Sequence, residues 1–295
     1  MKREVINVKD LEGLSPIFRG KRGPGIAKLA IRLFAIDRVN KVYERSCYLK
    51  GANFAESLLN DLGVKYLIGN AERLKRLPEG AFITVSNHPY GGLDGIMLID
   101  LMVGIRSDYK LMVNQLLTFV KTMEENFISV KPKTGKKNGD PISGINGIRE
   151  TLKSLMEGHP IGFFPAGAVS MFNIKNLSVK DREWQGSILK LIQKAKVPVV
   201  PIRFFDKNSA FFYLLGLINW RIRLIRMPRE IFNKKKHQPR IGIGNIITVE
   251  DQQKFPDYKA LGRFLQKAVY DMPMPTSFIQ RADLNLSHYS ESDLK

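Results

Sequence analysis

Apolar and polar residues alternate along this chain with two different periods, and the change from one to the other divides it. Near the N-terminus Ile26, Leu29, Ala30, Leu33 and Phe34 recur at helical spacing, flanked by Lys28, Arg32 and Arg38 and opened by Gly23-Pro24-Gly25. This predicts a basic amphipathic helix whose apolar side either packs on the protein's own core or lies at a lipid interface. A further helix is predicted over Ala52 to Leu62. After Leu77-Pro78-Glu79-Gly80 short apolar runs alternate with helical stretches. Strands are predicted at Ala81 to Val85, Lys110 to Val113, Ile161 to Phe164, Val199 to Ile202 and Arg240 to Ile247. Helices are predicted between them at Leu93 to Val103, Ile148 to Met156 and Ser187 to Ala195.

The alternation predicts an α/β fold, a layered mixed sheet flanked by helices, with its chemistry on loops at the strand ends. Three regions are expected: an N-terminal helical, membrane-surface region over 1–76, an α/β domain over 77–250, and a C-terminal helix with a polar tail over 251–295. Lys131 to Gly147, rich in Lys, Gly and Asn, reads as a flexible loop, and the polar tail after Thr276 as partly disordered.

Charge changes the picture. Among 295 residues, 47 Lys and Arg against 28 Asp and Glu leave a net +19, which predicts attraction to a polyanion such as anionic lipid, nucleic acid or an acidic carrier protein. The single cysteine, Cys47, excludes an intramolecular disulfide framework and a multi-thiolate zinc site, so a reducing compartment is expected. Acidic residues in MKREVINVKDLEGL stand where a signal peptide needs an apolar core, and no secretory leader is expected. The most apolar stretch, Ala210 to Trp220, falls short of the roughly 18–20 residues a spanning helix requires. A membrane contact would therefore be peripheral or monotopic.

Two segments carry candidate chemistry. The first, Ser86-Asn87-His88-Pro89-Tyr90-Gly91-Gly92-Leu93-Asp94, follows a predicted strand and precedes a predicted helix. Its glycines and proline allow a tight turn that folds Asp94 onto one nitrogen of His88 and leaves the other for a substrate. A carboxylate that orients an imidazole makes it a general base for a hydroxyl attacking a carbonyl. Singly, Asp94 could equally cap the helix and His88 be an ordinary turn histidine. The second, Gly162-Phe163-Phe164-Pro165-Ala166-Gly167-Ala168-Val169-Ser170, runs from a strand into a small-residue turn whose free amides, with the Ser170 hydroxyl, can hold an anionic headgroup. No His, Cys or carboxylate cluster at ligand spacing accompanies them, so no metal is expected.

Together with the strand Val197-Pro198-Val199-Val200-Pro201-Ile202-Arg203, these segments in this order resemble the four-block pattern of the glycerolipid acyltransferases, a family that includes lysophosphatidate acyltransferases. NHPYGGLDG and FPAGAVS are more narrowly similar to a bacterial branch labelled hemolysin-like, which includes O-acyltransferases of ornithine and glycine lipids. The resemblance covers Leu77 to Ile247 and implies an acyltransferase-type α/β fold. It also implies transfer of a fatty acyl group from acyl carrier protein or coenzyme A to a lysolipid hydroxyl, without a bound cofactor, at the cytoplasmic face of the inner membrane. His88 matches the catalytic base and Asp94 its orienting carboxylate. Phe164, Pro165 and Gly167 match the acceptor turn, Pro201 matches the last block, and Asn87, Gly92 and Ser170 are assigned with them to substrate contact.

Three departures from the pattern bear on the site. Five residues separate His88 from Asp94 where four are common, so the pair forms only if the Gly91-Gly92 turn absorbs the extra one. The Glu usual in the acceptor turn is Ala166, which opens the acceptor to a lyso-aminolipid as well as lysophosphatidate. In place of the second block's arginine, the cations near Phe127-Ile128-Ser129-Val130 are Lys131 and Lys133, with Arg203 a further candidate for holding an anionic acceptor. A serine hydrolase is excluded because no Gly-x-Ser-x-Gly elbow is present. Nucleic-acid binding remains the alternative, motivated by Lys234-Lys235-Lys236 and by Arg221, Arg223 and Arg226, although no nucleic-acid motif accompanies them and anionic phospholipid explains the same charge.

Overall fold

The structure, a computed structural model, describes residues 3–114, 120–130 and 141–286. Four helices come first: α1 (Val8–Leu14), α2 (Gly23–Leu33), α3 (Ile36–Ser46) and α4 (Gly51–Leu62). They are followed by β1 (Leu67–Gly69), β2 (Ile83–Ser86), α5 (Gly92–Ile105), β3 (Lys110–Asn114), β4 (Phe127–Val130), α6 (Pro141–Met156) and β5 (Ile161–Phe163). A hairpin of β6 (Met171–Asn173) and β7 (Ser178–Lys180) then leads to α7 (Gly186–Ala195) and β8 (Val199–Phe204). Among the described residues α8 (Ala210–Ile218), α9 (Trp220–Phe232), β9 (Arg240–Ile243), α10 (Val249–Gln253), α11 (Tyr258–Tyr270) and β10 (Phe278–Gln280) follow.

Among the described residues one mixed sheet of eight strands runs β10-β1-β9-β8-β2-β5-β3-β4. The stretch from β8 to β4 is parallel, while β9 is antiparallel to β8 and β10 to β1. Alternation along β2 separates two cores. Ile83 and Val85 join Ile161, Phe163, Leu155, Ile192 and Leu265 on the side of α6, α7 and α11, while Phe82, Val200, Ile202 and Phe204 join Phe54, Leu59, Leu98 and Met102 on the side of α4 and α5. Each such fully buried side chain contributes about 1.5–3 kcal/mol of transfer free energy. Helix α5 packs against both α4 and β3, so its sequence GLDGIMLIDLMVGI is apolar on nearly every side. Strands β2 and β5 are parallel neighbours in register Val85 to Phe163, which brings the two motif-bearing turns to the same edge of the sheet.

Two expectations change and a third is narrowed. The predicted loop Lys131 to Gly147 is helical from Pro141 onward: Ile142, Ile145, Ile148 and Leu152 recur at helical spacing and outweigh the two glycines among them. Of the polar tail after Thr276, read as partly disordered, the residues up to 286 are placed by the fold: β10 pairs with β1, Arg281 N donates to Tyr66 O, and Leu284 and Leu286 are buried, while 287–295 lie outside the described residues. The strand expected over Arg240 to Ile247 stops at Ile243, where Gly244 N turns to donate to Pro201 O, and Ile247 returns to bridge Val199. The sheet takes β1 from within 1–76 and β10 from within 251–295.

The tail is fastened by a buried charge. Asp100 of α5 accepts from Tyr66 Oη at 2.6 Å and from Arg281 Nη2 at 3.1 Å. Burial raises the Asp100 carboxyl above its ordinary value, opposed by Arg281 and Tyr66. Arg281→Met removes the opposing cation, so the carboxyl rises further and folding at neutral pH must bury an unpaired carboxylate. The expected cost is about 3 kcal/mol near pH 7. It should shrink as pH falls through the raised value and the carboxyl protonates, which thermal unfolding of both proteins from neutral to acidic pH measures.

Candidate active site

The loop after β2 is held at its start by Asn87, whose Oδ1 accepts from Phe204 N and whose Nδ2 donates to Phe204 O, both at 2.8 Å. A side chain thus prolongs the β2–β8 pairing by one step, and Asn87 faces the backbone of β8. Gly91 then takes φ +79°, the left-handed region, and a β-carbon there would stand 2.6 Å from Met227 Sδ. This one glycine absorbs the extra residue in the His–Asp spacing. Gly92 needs no such freedom and begins α5 beside open space.

Asp94, the third residue of α5, is fully buried. Its Oδ2 accepts from the amides of Tyr90 at 2.9 Å and Gly91 at 3.0 Å, and lies 2.9 Å from His88 Nδ1. The ring N–H is bent off the line to an oxygen that already carries two amide donors. One carboxylate therefore opens the helix and holds the imidazole, and the two readings of Asp94 are both true. Burial raises its carboxyl, opposed by His88 and the two amides. The His88 ring stacks on Phe164 from the next strand, centroids 4.0 Å apart and planes 27° from parallel. Among the described residues Nε2 makes no hydrogen bond, and the ring is pinned through its other nitrogen and its face.

The turn after β5 is closed by Gly167 N donating to Phe164 O at 2.8 Å, with Pro165 and Ala166 between and Gly167 at φ +60°. Its geometry changes what Ala166 means. The methyl is fully buried in the core cluster with Phe163 and Trp184, so that side chain faces away from solvent. The Ala166 carbonyl accepts from Arg182 Nε at 2.7 Å and Gln185 Nε2 at 3.3 Å, which places the exposed Arg182 on the turn.

The sequence reading missed both Arg182 and Asp181. Asp181 Oδ1 accepts from the His88 amide at 3.2 Å and from Ser170 Oγ at 2.5 Å, while Ser170 N donates to His88 O at 2.8 Å. Ser170 is buried with its hydroxyl given to Asp181 rather than to a headgroup. Burial raises the Asp181 carboxyl, opposed chiefly by Ser170 and then by the His88 charge. Nothing local in KDREW marks Asp181, because the β6–β7 hairpin that returns it beneath His88 is a tertiary feature.

The remaining candidates are not gathered. Arg203 is on the opposite face of β8, donating to the carbonyls of Tyr270 and Met272 and lying over the Phe205 ring. Lys131 and Lys133 lie outside the described residues. The basic runs behind the nucleic-acid alternative are partly internal: Arg223 is buried, donating to Ser170 O at 3.0 Å and Val169 O at 3.3 Å, and Lys234 is buried against Glu230.

Over residues 19–274 the chain matches a protein-family model described as Acyltransferase. The chain belongs to this acyltransferase family. It is similar to a lyso-glycine lipid O-acyltransferase of Bacteroides thetaiotaomicron, 32% identical over 212 residues that make up 68% of this chain and 72% of that one. A protein of the same name from Phocaeicola vulgatus is 27% identical over 252 residues, 82% of each chain. In an acyltransferase, a pinned imidazole with a free nitrogen beside a turn at the sheet edge suits removal of a hydroxyl proton.

His88→Ala is expected to lower acyltransferase turnover by about a hundredfold to ten-thousandfold without changing the unfolding temperature by more than a few degrees. Asp94→Asn should match it or be milder; unchanged turnover would leave Asp94 a helix-start residue only. Asp181→Asn tests a positioning role. It should lower kcat by about tenfold to a hundredfold with KM little altered, through misplacement of the His88 backbone. A KM effect alone would show that Asp181 acts on binding instead.

Proposed function

We propose that the protein is an O-acyltransferase moving a fatty acyl group from a thioester donor, acyl carrier protein or coenzyme A, to the hydroxyl of a lysolipid. Its acceptor in this reading is a lyso-aminolipid with a carboxylate headgroup, met as a peripheral or monotopic protein at the cytoplasmic face of the inner membrane. The His88–Asp94 contact carries the reading. It supplies the base that such a transfer requires, and the name shared by the two relatives supplies the acceptor class.

The acceptor hydroxyl gives its proton to neutral His88 as its oxygen attacks the thioester carbonyl carbon. The C–O bond forms, the tetrahedral oxyanion collapses, the C–S bond breaks, and the leaving thiolate takes the proton back from the imidazolium. Asp94 stabilises the imidazolium between these steps. Direct attack fits the inventory of nucleophiles, since Cys47 is buried in the core near Phe54 and the Ser170 hydroxyl is given to Asp181. Arg182, exposed on the acceptor turn, is the cation assigned to the headgroup. Its guanidinium can pair with a carboxylate as well as a phosphate, so the turn does not demand glycerol phosphate.

At equal concentration with one acyl-thioester donor, a lyso-glycine lipid should be acylated at least as fast as lysophosphatidate, product ratios being read by mass spectrometry. A strong preference for lysophosphatidate would refute the aminolipid assignment. Arg182→Gln should raise the acceptor KM about tenfold while kcat changes little, the scale of one lost charge-assisted hydrogen bond.

A further inference from the structure

The large apolar side chains of α2 do not face the core. Ala27 and Ala30 are buried, while Leu29 is 66% and Leu33 57% exposed, with Ile26 beside them. The same inversion recurs on α8 and α9. Phe212, Tyr213 and Arg223 face inward, and Phe211, Leu214, Ile218, Ile222 and Ile225 are exposed, Ile218 at 76%. On the β6–β7 hairpin Met171, Ile174 and Leu177 are exposed as well, Leu177 at 77%.

These elements are contiguous. Helices α8 and α9 pack on each other, α8 packs on β6, and Arg229 at the end of α9 donates to Leu33 O at the end of α2. Charge is as one-sided as the apolar surface. The segments 23–33, 171–180 and 210–232 contain one acidic residue, Glu230, which is buried and satisfied by Ser209, Asn233 and Lys234, while Lys28, Arg32, Lys175 and Lys180 are exposed. Apolar residues interleaved with cations, and no exposed acid, form the complement of an anionic lipid surface. A partner helix or a second copy would need acids to match these cations.

The inner side of this surface is bolted to the catalytic loops. Pro89 O, next to His88, accepts from Asn208 Nδ2 and Tyr213 Oη, both at 3.1 Å. Arg223 holds the carbonyls of Val169 and Ser170, and Met227 lies against Gly91. We propose that the outer faces of α2, α8, α9 and the β6–β7 hairpin form one docking surface for an anionic bilayer. Docked there, the His88 loop sits beside the leaflet and takes an acceptor that keeps its acyl chain in lipid. The docking claim rests on the surface itself, and the acceptor clause rests on the acyltransferase reading above.

The test uses the full chain with vesicles of equimolar phosphatidylglycerol and phosphatidylcholine, and with phosphatidylcholine alone. Of the two tryptophans Trp184 is buried in the core and Trp220 is exposed on α9, so Trp220 emission should shift to the blue on the anionic vesicles and be quenched by brominated lipid. The combined variant Leu214→Ser, Ile218→Ser, Ile222→Ser should bind these vesicles about tenfold or more weakly, because the inserted apolar area is lost. Its unfolding temperature and its turnover on detergent-dispersed acceptor should stay near those of the parent, whereas turnover on acceptor embedded in vesicles should fall. Unchanged vesicle binding by the variant would overturn the proposal. So would a parent that ignores vesicles but dimerises through this face or binds DNA in their place. Vesicle binding that depends on these residues in a protein that acylates no lysolipid would leave the docking surface standing and remove the functional reading instead.

Discussion

A carboxylate buried at the start of a helix must find donors within a few ångströms or be forced to protonate, and the arrangement of this site follows from how Asp94 finds them. The amides of Tyr90 and Gly91 reach one oxygen only because Gly91 adopts a left-handed conformation, and that same turn carries His88 back to the oxygen. The helix start, the loop conformation and the orientation of the His88 ring therefore rest on one buried carboxylate, whose Oδ2 takes these contacts while Oδ1 has no partner among the described residues. Phe164 completes the constraint from the neighbouring strand by covering one face of the ring.

The loops are then held by groups distant in sequence, each hydrogen-bonded and each buried except the half-buried Asp181. Asp181 grips the His88 amide from the hairpin, Arg223 grips the 169–170 backbone from α9, and Asn208 and Tyr213 grip Pro89 from before and within α8. Glu230 satisfies the Ser209 cap of α8 and the buried Lys234 together. Burial raises its carboxyl, but those donors outweigh burial and hold it below its ordinary value. The helical hairpin is thereby fixed to the His88 and 169–170 loops while its other side is left apolar and exposed. In the reading proposed above, rigidity on one side and an exposed apolar surface on the other suit an enzyme working on a lipid at an interface.

Much of this was legible beforehand, for identifiable reasons. Strands β2, β3, β5 and β8 stand out because buried parallel strands are nearly continuous apolar runs, and their predicted positions differ from the observed ones by a residue or two at the ends. His88, Asp94 and Phe164 could be singled out because each lies just past such a strand, among glycines and proline that only a tight turn would want. Membership of the acyltransferase family agrees with the resemblance those residues carry. Strands β1 and β10 went unseen because three residues each is too short for a period to register.

Local pattern by itself determined the α/β class, the two candidate-site loop segments and the excess of cations, since period, turn chemistry and charge are properties of neighbouring residues. Tertiary structure alone decided which side chains meet. It brought Asp181 and Arg182 to the site and took Arg203 to the far side of β8. It turned Ala166 inward and Ile26, Leu29 and Leu33 outward. A hydrophobic stripe states that one side of a helix avoids water, but not whether protein or lipid covers it. In α2 the close packing of Ala27 and Ala30 against the protein settled the orientation, because only the small side allows the backbone to approach, and that leaves the large apolar residues facing out.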